Sequence, residues 1–428
     1  MKDIINVGII GFGTVGCGAA GILIGNGESI ARKVGAQLLV KRIADIDMTT
    51  PRPIEVDKSI LTTNADDVIN DPRIDIVVET IGGVTPAGDF IRRALRNGKH
   101  VVTANKELIA KEGQSLLPLA SELGRDLMFE ASVGGGIPIV RPLKCCLAGN
   151  DILEIKGIVN GTTNYILTRM AAEGLDYEQV LPDAQAKGYA ESDPTADVEG
   201  HDAAYKISIL ASIAFTSRAD VARVHREGIT RIASEDIAYA RELGYVIKLL
   251  AIAKQVDGAI QARVHPAFVP KGHPLSTVDG VFNAIYIKGS AVGEVMFYGP
   301  GAGAGAAGSA VVGDVIDVAR NIRFGSTSRI PCTCFDEREM LTMDSVTGKN
   351  YIRIVASDRP RVLAAIANVF ADNDVSIESV LQKVLPESKA EIVWITHEAA
   401  EPNVRVALDS IRDLPVVEKV ASWIRVEE

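Results

Sequence analysis

The chain has 428 residues, of which 47% are hydrophobic and 23% are charged, a balance typical of a globular protein with about three domains. Its net charge of -10 argues against a nucleic-acid partner, and no apolar run reaches the length that spans a membrane. The N-terminus does not resemble a signal peptide, and five scattered cysteines predict free thiols and a cytoplasmic location (Cys17, Cys145, Cys146, Cys332, Cys334).

The predicted elements begin with a dinucleotide-binding fingerprint. An apolar run at Ile4–Ile10 predicts a buried strand, the motif Gly11-Phe-Gly-Thr-Val-Gly16 follows at once, and residues 19–30 favour a helix. Glycines permit a tight turn and close backbone approach, and the helix N-terminus can meet a pyrophosphate. The motif in this position predicts a nicotinamide cofactor bound by Gly11, Phe12, Gly13, Thr14, Val15 and Gly16.

The second strand is predicted at Gln37–Ala44, and the residues near its end leave the choice of cofactor open. Asp45 or Asp47 can accept a hydrogen bond from the ribose 2′-hydroxyl, which favours NAD. Lys41 and Arg42 can instead pair with a 2′-phosphate, which favours NADP.

Two further predicted strands, residues 74–80 and 99–103, lead to Lys106. Residues just beyond the carboxyl ends of parallel strands face the ligand crevice, so Lys106 is a candidate functional lysine. The alternative is a surface lysine at the start of a helix from Glu107.

A glycine-rich turn closes the first domain, which we predict to span residues 1–150. Residues 128–131 favour a strand, and a helix is expected over 139–147. Between them, Val133-Gly-Gly-Gly-Ile137 can offer backbone groups to a ligand or a cation, or it can be a flexible connector.

Residues 151–298 predict an α+β substrate and dimerisation domain. Strands are expected at 152–159, 261–269, 282–288 and 292–298, and helices at 165–172, 177–187, 200–215 and 234–256. Asn160-Gly-Thr-Thr-Asn164 has the composition of a turn and helix cap.

The stretch from Glu191 to Lys206 is the strongest candidate for catalytic chemistry. It contains five carboxylates (Glu191, Asp193, Asp197, Glu199, Asp202) ahead of one lysine. Asp202 and Lys206 are four residues apart and therefore share one face of a helix. A lysine held beside carboxylates can transfer protons, and the other carboxylates can hold a substrate ammonium. The alternative is a solvated acidic loop followed by a surface ion pair.

The remaining chain predicts a return to the first domain and then a separate C-terminal domain. The glycine-rich residues 299–305 precede a helical pattern over 310–322, so that 299–335 are expected to complete the nucleotide-binding domain. Cys332 and Cys334 lack a second cysteine pair, which argues against zinc. After a polar boundary over 336–349, residues 350–428 show the β-α-β-β-α-β order of a ferredoxin-like domain. A chain that ends near Lys349 is expected to fold and to retain some activity.

Together these motifs resemble the homoserine dehydrogenase family with a C-terminal ACT domain. The resemblance rests on the fingerprint, Thr103-Ala-Asn-Lys106, Glu130-Ala-Ser-Val-Gly-Gly-Gly-Ile-Pro138, Asn160-Gly-Thr-Thr-Asn164, and Gly188-Tyr-Ala-Glu-Ser-Asp-Pro194 with Asp202 and Lys206. It implies an α/β fold, and NAD(P)H-dependent reduction of L-aspartate 4-semialdehyde to L-homoserine in threonine and methionine biosynthesis.

The resemblance also implies residue roles. Lys206 would be the main acid–base residue, with Lys106 and Asp202 as its catalytic partners. The substrate would be bound by Glu191, Asp197, Asp202, Gly161, Thr162 and Tyr189. The cofactor would contact Arg42, Thr80, Lys106 and Gly303 as well as the fingerprint. A sodium ion would be bound by Glu130 and the carbonyls of Val133, Gly135 and Ile137. The active form would be a homodimer or homotetramer.

One position departs from the family pattern. The ACT turn usually reads Asp-x-Pro-Gly, whereas this chain has Asp358-Arg-Pro-Arg361, which argues against threonine binding there and favours a role in dimerisation. Two other functions remain open: another amino-acid or hydroxy-acid dehydrogenase with an ACT domain, and a non-enzymatic NAD(P)-binding amino-acid sensor.

Overall fold

The structure is a computed structural model that describes residues 2–427. Its first part is a parallel six-stranded sheet flanked by helices. The strands are β1 (Ile4–Ile10), β2 (Gln37–Ala44), β3 (Leu61–Thr62), β4 (Ile76–Glu79), β5 (His100–Thr103) and β6 (Leu127–Met128). The helices are α1 (Thr14–Gly25), α2 (Gly27–Val34), α3 (Asp66–Ile69), α4 (Ala87–Arg96), α5 (Lys106–Glu122) and α6 (Val140–Lys144). The strand order β3-β2-β1-β4-β5-β6 is that of a Rossmann fold, which confirms the predicted fold of this region.

The fingerprint helix α1 begins at Thr14, five residues before the predicted start. Gly16 lies in its first turn against the turn that precedes it, where an added Cβ would lie 2.0 Å from the Gly11 carbonyl oxygen. Only glycine fits at this position. Gly16, which was predicted to lie in the turn before the helix, therefore belongs to the helix itself.

The second part contains a mixed α+β region. Its strands are β7 (Ile152–Ile158), β8 (His225–Arg226), β9 (Tyr245–Val256), β10 (Ala259–Pro270), β11 (Phe282–Gly289) and β12 (Gly293–Pro300). Its helices are α7 (Gly161–Glu173), α8 (Tyr177–Ala186), α9 (Thr195–Val198), α10 (His201–Ala214) and α11 (Ser234–Glu242). The helix predicted over 234–256 is wrong beyond residue 242, because 245–256 form β9 between β7 and β10.

Helix α12 (Ala304–Phe324) returns to the nucleotide-binding sheet, as its amphipathic pattern indicated. It packs on α1 at close range: a Cβ added to Gly18 would lie 1.9 Å from the Ala304 carbonyl oxygen. The glycine therefore allows the two helix backbones to touch.

The C-terminal part has the predicted ferredoxin-like order. Its elements are β13 (Met340–Leu341), β14 (Thr347–Ser357), α13 (Val362–Asp372), β15 (Ile377–Leu385), β16 (Lys389–Thr396), β17 (Ala399–Ala400), α14 (Glu401–Arg412) and β18 (Val417–Val426). The segment predicted as a polar boundary contributes β13, which pairs with β10.

The sheets of the second and third parts are continuous. Their strands follow the order β12-β11-β7-β9-β10-β18-β14-β16-β15, and β18 joins β10 through the register Ala267 to Arg425 and Phe268 to Val426. The rings of Phe268 and Tyr351 stack across this junction with centroids 4.3 Å apart. The C-terminal part thus shares a hydrophobic core with the region that precedes it.

Buried charges also cross this junction. Asp236 on α11 accepts hydrogen bonds from Arg353 Nε at 2.7 Å and from the Tyr351 hydroxyl at 3.0 Å. Arg353 also donates to Glu391 at 2.7 Å, and Glu391 accepts from the Tyr239 hydroxyl at 2.7 Å. All five side chains are buried, and we call this set the junction network.

Among residues 2–427, none of the helices is both long enough and apolar enough to cross a membrane.

Candidate active site

The centre of the candidate site is Asp202, whose carboxylate bridges two lysines. Its Oδ1 lies 2.5 Å from Lys106 Nζ, and its Oδ2 lies 2.6 Å from Lys206 Nζ. Lys106 opens α5 in the nucleotide-binding region, whereas Asp202 and Lys206 share a face of α10. The structure therefore brings together the three predicted catalytic residues from two parts of the fold.

Lys206 is buried and held by two fixed acceptors. Its Nζ donates to the Val159 carbonyl at 2.6 Å as well as to Asp202. Burial lowers the pKa of Lys206, the nearby Asp202 carboxylate opposes that shift, and the charge of Lys106 adds to it. A lysine ammonium has three N–H donors, so one remains for a substrate oxygen.

Asp202 stays ionised in this environment. Burial alone would raise the pKa of Asp202, but the charges of Lys206 and Lys106 hold it well below its usual range. The same carboxylate raises the pKa of Lys106. The two lysines therefore differ in acidity although they share one partner.

A second set of hydrogen bonds fixes the position of Lys106. The Asn105 side chain caps α5 by accepting from Leu108 N at 3.0 Å, and its amide donates to the Gly83 carbonyl at 2.6 Å. The buried Glu79 carboxylate accepts from Thr103 at 2.6 Å in the strand that ends just before. Lys106 thus begins a helix whose start is fixed by hydrogen bonds near the ends of β4 and β5.

The Asn160 motif connects the remaining predicted substrate residues to Asp202. The Asn160 side-chain amide donates to Asp197 at 2.7 Å and to Asp202 at 2.9 Å. Thr162 donates to the Tyr189 carbonyl at 2.6 Å and to Asp197 at 3.1 Å. Asn160 and Val159 were missed as individual site residues, although the quoted motif Asn160-Gly-Thr-Thr-Asn164 already marked this turn.

Glu191 differs from the other carboxylates of its stretch. It is exposed, and within residues 2–427 its side chain makes no hydrogen bond or ion pair. Its charge nevertheless contributes to the raised pKa of Lys106, behind the larger effect of Asp202. The hydrogen bond from Thr162 to the Tyr189 carbonyl joins the start of α7 to the segment after α8. Gly161 lies on the first of these segments, and the half-exposed Tyr189 lies on the second.

The glycine fingerprint faces the ends of β2 and β4. Thr80 donates to the Gly11 carbonyl at 2.9 Å, Gly13 precedes α1, and Thr14 and Val15 lie in its first turn. Asp45 accepts a short hydrogen bond from Phe12 N and one from Asp47 N at 2.8 Å, so both of its oxygens have internal partners.

Two arginines border this end of β2. Arg42 is half-buried, with an N–H 3.5 Å from the Ser59 carbonyl. Arg52 was missed: it lies 5.9 Å from the Phe12 ring centroid and pairs with Asp47 at 3.4 Å. It belongs to an irregular segment, so no periodicity in the sequence pointed to it. The predicted cofactor residue Gly303 lies at the N-terminus of α12, with a φ of 110°.

Glu130 lies at the glycine turn predicted for sodium. Its carboxylate accepts from the backbone amides of Ile139, Val140 and Arg141 at 2.5, 2.8 and 2.7 Å. Burial raises the pKa of Glu130 and raises the pKa of Asp314 well above its usual range, with the charge of Glu130 adding to the second shift. No cluster of three or more His, Cys, Asp or Glu residues within 2–427 is arranged for a metal, so a cation here would depend on backbone carbonyls.

A Rossmann-fold sheet defines a nicotinamide-dependent oxidoreductase when it meets a lysine–aspartate–lysine bridge of this kind. Here Lys106 comes from the sheet region, and Asp202 and Lys206 come from α10 of the second region. Family models match three segments: the homoserine dehydrogenase NAD-binding domain over residues 11–130, homoserine dehydrogenase over 138–316 and the ACT domain over 350–416. The chain belongs to the homoserine dehydrogenase family.

Individual relatives match along the full chain. The homoserine dehydrogenase of Bacillus subtilis is 43% identical over 99% of this chain and 98% of its own, and that of Neisseria gonorrhoeae is 41% identical with the same coverage. The structure of a homoserine dehydrogenase from Thiobacillus denitrificans has a TM-score of 0.93 at 41% identity and covers 100% of this chain and 99% of its own.

A hyperthermophilic archaeal homoserine dehydrogenase in complex with NADPH has a TM-score of 0.62 at 29% identity and covers 74% of this chain and 97% of its own. These findings confirm the predicted family, enzyme class and fold class. The roles of individual residues stay predictions.

Proposed function

We propose that the lysine–aspartate–lysine bridge catalyses the NAD(P)H-dependent reduction of L-aspartate 4-semialdehyde to L-homoserine, the activity that the family match favours over the two other functions considered. The observation that supports these roles is the bridge itself, in which Asp202 holds Lys206 with one N–H unused. The test is oxidation of L-homoserine with NAD and with NADP, compared with L-malate and L-lactate. A preference for malate or lactate would contradict the proposal.

Lys206 acts as the proton donor in reduction. A bound nicotinamide would supply the hydride, and the substrate aldehyde oxygen would become an alkoxide that needs a proton. The free N–H of Lys206 provides it, and the burial that lowers the pKa of Lys206 makes this transfer easier. In the reverse direction the neutral amine accepts the hydroxyl proton of homoserine.

Lys106 has a different part in the same step. Because Asp202 raises its pKa, Lys106 stays cationic while Lys206 exchanges its proton. A fixed positive charge stabilises negative charge that develops on the substrate oxygen. Asp202 touches both lysines and keeps them in position.

Glu191 binds the substrate ammonium in this proposal, because it is the exposed carboxylate of the acidic stretch whose side chain makes no hydrogen bond or ion pair with residues 2–427. Glu191→Gln is expected to lower kcat/KM for homoserine by about tenfold to one-hundredfold, since a charge-assisted hydrogen bond contributes about 1.5–3 kcal/mol. Asp193→Asn is the matched control, because Asp193 caps its own turn through Thr195. An equal weakening of NADPH binding would assign Glu191 to the cofactor instead.

NADP and NAD remain two candidate cofactors, and a substitution at Arg42 can distinguish between them. If Arg42 pairs with the 2′-phosphate, Arg42→Ala raises KM for NADP by about tenfold and leaves KM for NAD nearly unchanged, since only NADP carries that charge. The control is Lys33→Ala, which removes an exposed positive charge from the last turn of α2 in the same region. Equal effects of Arg42→Ala on both cofactors would contradict this role.

The residues at the glycine turn fit a sodium ion. Glu130 and the carbonyls of Val133, Gly135 and Ile137 are hard oxygen ligands, and Glu130 lies next to a second buried carboxylate, Asp314. A bound cation would offset the charge repulsion from Glu130, which adds to the effect of burial in raising the pKa of Asp314. It would also hold the turn that joins the nucleotide-binding region to α6.

The same proposal includes a cytoplasmic homodimer or homotetramer whose ACT region responds to an amino acid. Arg361 precedes α13 with a φ of 77°, in the left-handed region that favours glycine, and is exposed. The Arg361 side chain is therefore attached at the turn where a ligand carboxylate would approach the amides at the start of α13, and there it would obstruct the ligand.

Arg361→Gly is expected to increase inhibition by threonine, because it opens this turn and relieves the left-handed strain. The measurement is a threonine inhibition curve at subsaturating homoserine, with Arg359→Gly as the control in the same turn. Strong inhibition of the unmodified enzyme that Arg361→Gly leaves unchanged would show that Arg361 is no barrier.

A further inference from the structure

A small cavity lies between the two helices that carry the candidate catalytic lysines. It has a volume of about 160 Å³ and separates the middle of α5 from the middle of α10. It is lined by Gly113, Leu117, Ser208, Ser212, Cys332 and Cys334. Both cysteines are at least partly exposed, so the cavity is bordered by thiols that solvent can reach.

The two cysteines form a pair that contacts α10. Cys332 and Cys334 are two residues apart in the chain, and both line this cavity. Cys334 Sγ is also 3.4 Å from the Ser212 carbonyl oxygen. A change in bonding at this pair therefore acts directly on the helix that carries Lys206.

The charges around the pair favour a thiolate at Cys332. The neighbouring Cys334 thiol lowers the pKa of Cys332, and the ammonium of Lys144 contributes to that shift. Lys144 Nζ is held 5.0 Å from the Phe129 ring centroid and 3.4 Å from the Pro331 carbonyl oxygen. The thiolate is the nucleophilic form of cysteine, so Cys332 is prepared to react at neutral pH.

The other charges near the pair do not cancel this effect. Arg218 borders the same cavity and its charge acts to lower the pKa of Cys334, although the neighbouring Cys332 and burial raise that pKa overall. Burial lowers the pKa of Lys144, and the negative charge of Cys332 opposes that shift. Cys332 is thus the attacking thiol and Cys334 the protonated second thiol.

We propose that Cys332 and Cys334 are a redox-active dithiol that reacts with small-molecule disulfides and thereby slows the dehydrogenase. The Cys332 thiolate attacks one sulfur of the disulfide RSSR, which gives a mixed disulfide and releases RS⁻. Cys334 then loses its proton to solvent and attacks the Cys332 sulfur, which forms the internal disulfide and releases a second RS⁻. The protein loses two electrons and RSSR gains them.

Formation of the internal disulfide changes the cavity in two ways. It removes the negative charge beside Lys144, and it draws Cys334 away from Ser212 on α10. The helices that position Lys106 and Lys206 then lose a contact at their shared cavity, so kcat for homoserine oxidation is expected to fall. A thiol reductant reverses the reaction and should restore kcat.

The experiment treats the full-length reduced enzyme with oxidised glutathione and follows activity and free thiols together. Peptide mass analysis is expected to show the loss of two free thiols per chain as a Cys332–Cys334 disulfide. In Cys334→Ala the second step is impossible, so a stable glutathione adduct on Cys332 is expected. The pH dependence of Cys332 alkylation should have its midpoint below that of an ordinary thiol in the unmodified enzyme, and a higher midpoint in Cys334→Ala.

A variant with Cys145→Ser and Cys146→Ser is the matched control, because it removes the two exposed neighbouring thiols and keeps the pair. It should lose activity with oxidised glutathione as the unmodified enzyme does, whereas Cys332→Ser should be protected. The proposal is overturned if the disulfide involves other cysteines, if Cys332→Ser is inactivated at the same rate, or if the internal disulfide forms and kcat does not change.

Discussion

Lys206→Ala is expected to lower kcat for homoserine oxidation by about 10²- to 10⁴-fold, the usual contribution of a general acid–base group. The variant loses the N–H that we assign to the substrate oxygen, while Lys106 and Asp202 still form their ion pair at 2.5 Å. NADPH should bind with nearly unchanged Kd, because the fingerprint and the end of β2 do not depend on Lys206. Steady-state kinetics and a fluorescence titration with NADPH measure the two quantities.

The matched control is Lys111→Ala. Lys111 lies on α5, one turn beyond Lys106, and pairs with Glu107 at 2.6 Å on the surface. Its loss should change kcat little. A folded Lys206→Ala enzyme with near-normal kcat would refute the acid–base assignment, and a matching loss in the control would point to a general effect of charge.

Asp236→Ala is expected to lower the free energy of unfolding by about 3–5 kcal/mol, because it leaves Arg353 buried without one of its two carboxylate partners. Asp236 is fully buried and also accepts from the Tyr351 hydroxyl, so the substitution removes the centre of the junction network. Urea titration of the purified variants measures the difference.

Asp344→Ala serves as the control for this prediction. Asp344 pairs with Arg405 at 3.0 Å, but both side chains are exposed. An exposed pair of this kind contributes about 0–1 kcal/mol. Similar small losses for both variants would mean that the junction network adds little to stability.

Local patterns in the sequence predicted most of the fold. The apolar run before the glycine fingerprint identified β1, and the fingerprint identified the turn into α1. The C-terminal patterns identified β14, β15, β16 and β18 in their correct order, but not the short β17. The same reasoning failed at β9, because its long apolar run has no internal turn signal and a buried strand then looks like a buried helix. Its position between β7 and β10 supplies the hydrogen-bond partners that decide the question.

The candidate site was predicted in part: most of its residues were identified, but not all of the contacts between them. Asp202 and Lys206 share a helix, so their spacing reveals the pair, and Lys106 follows a strand end. That Asp202 joins both lysines depends on how two regions meet, which no local pattern records. The contacts of Asn160 and Arg52 were missed for the same reason. The junction network was missed too, since its members lie on α11, β14 and β16.

Because the sheet is continuous, the C-terminal ACT region cannot be treated as a separate module. A chain that ends near Lys349 keeps every candidate catalytic residue, and sequence alone suggested that it would fold. The structure argues otherwise, because removing β18 leaves β10 with an open edge, and removing Arg353 leaves Asp236 buried without its cation. The ACT region is therefore not a detachable accessory in this enzyme, and an exchange of regulatory domains between relatives would have to carry β10 and α11 along with it.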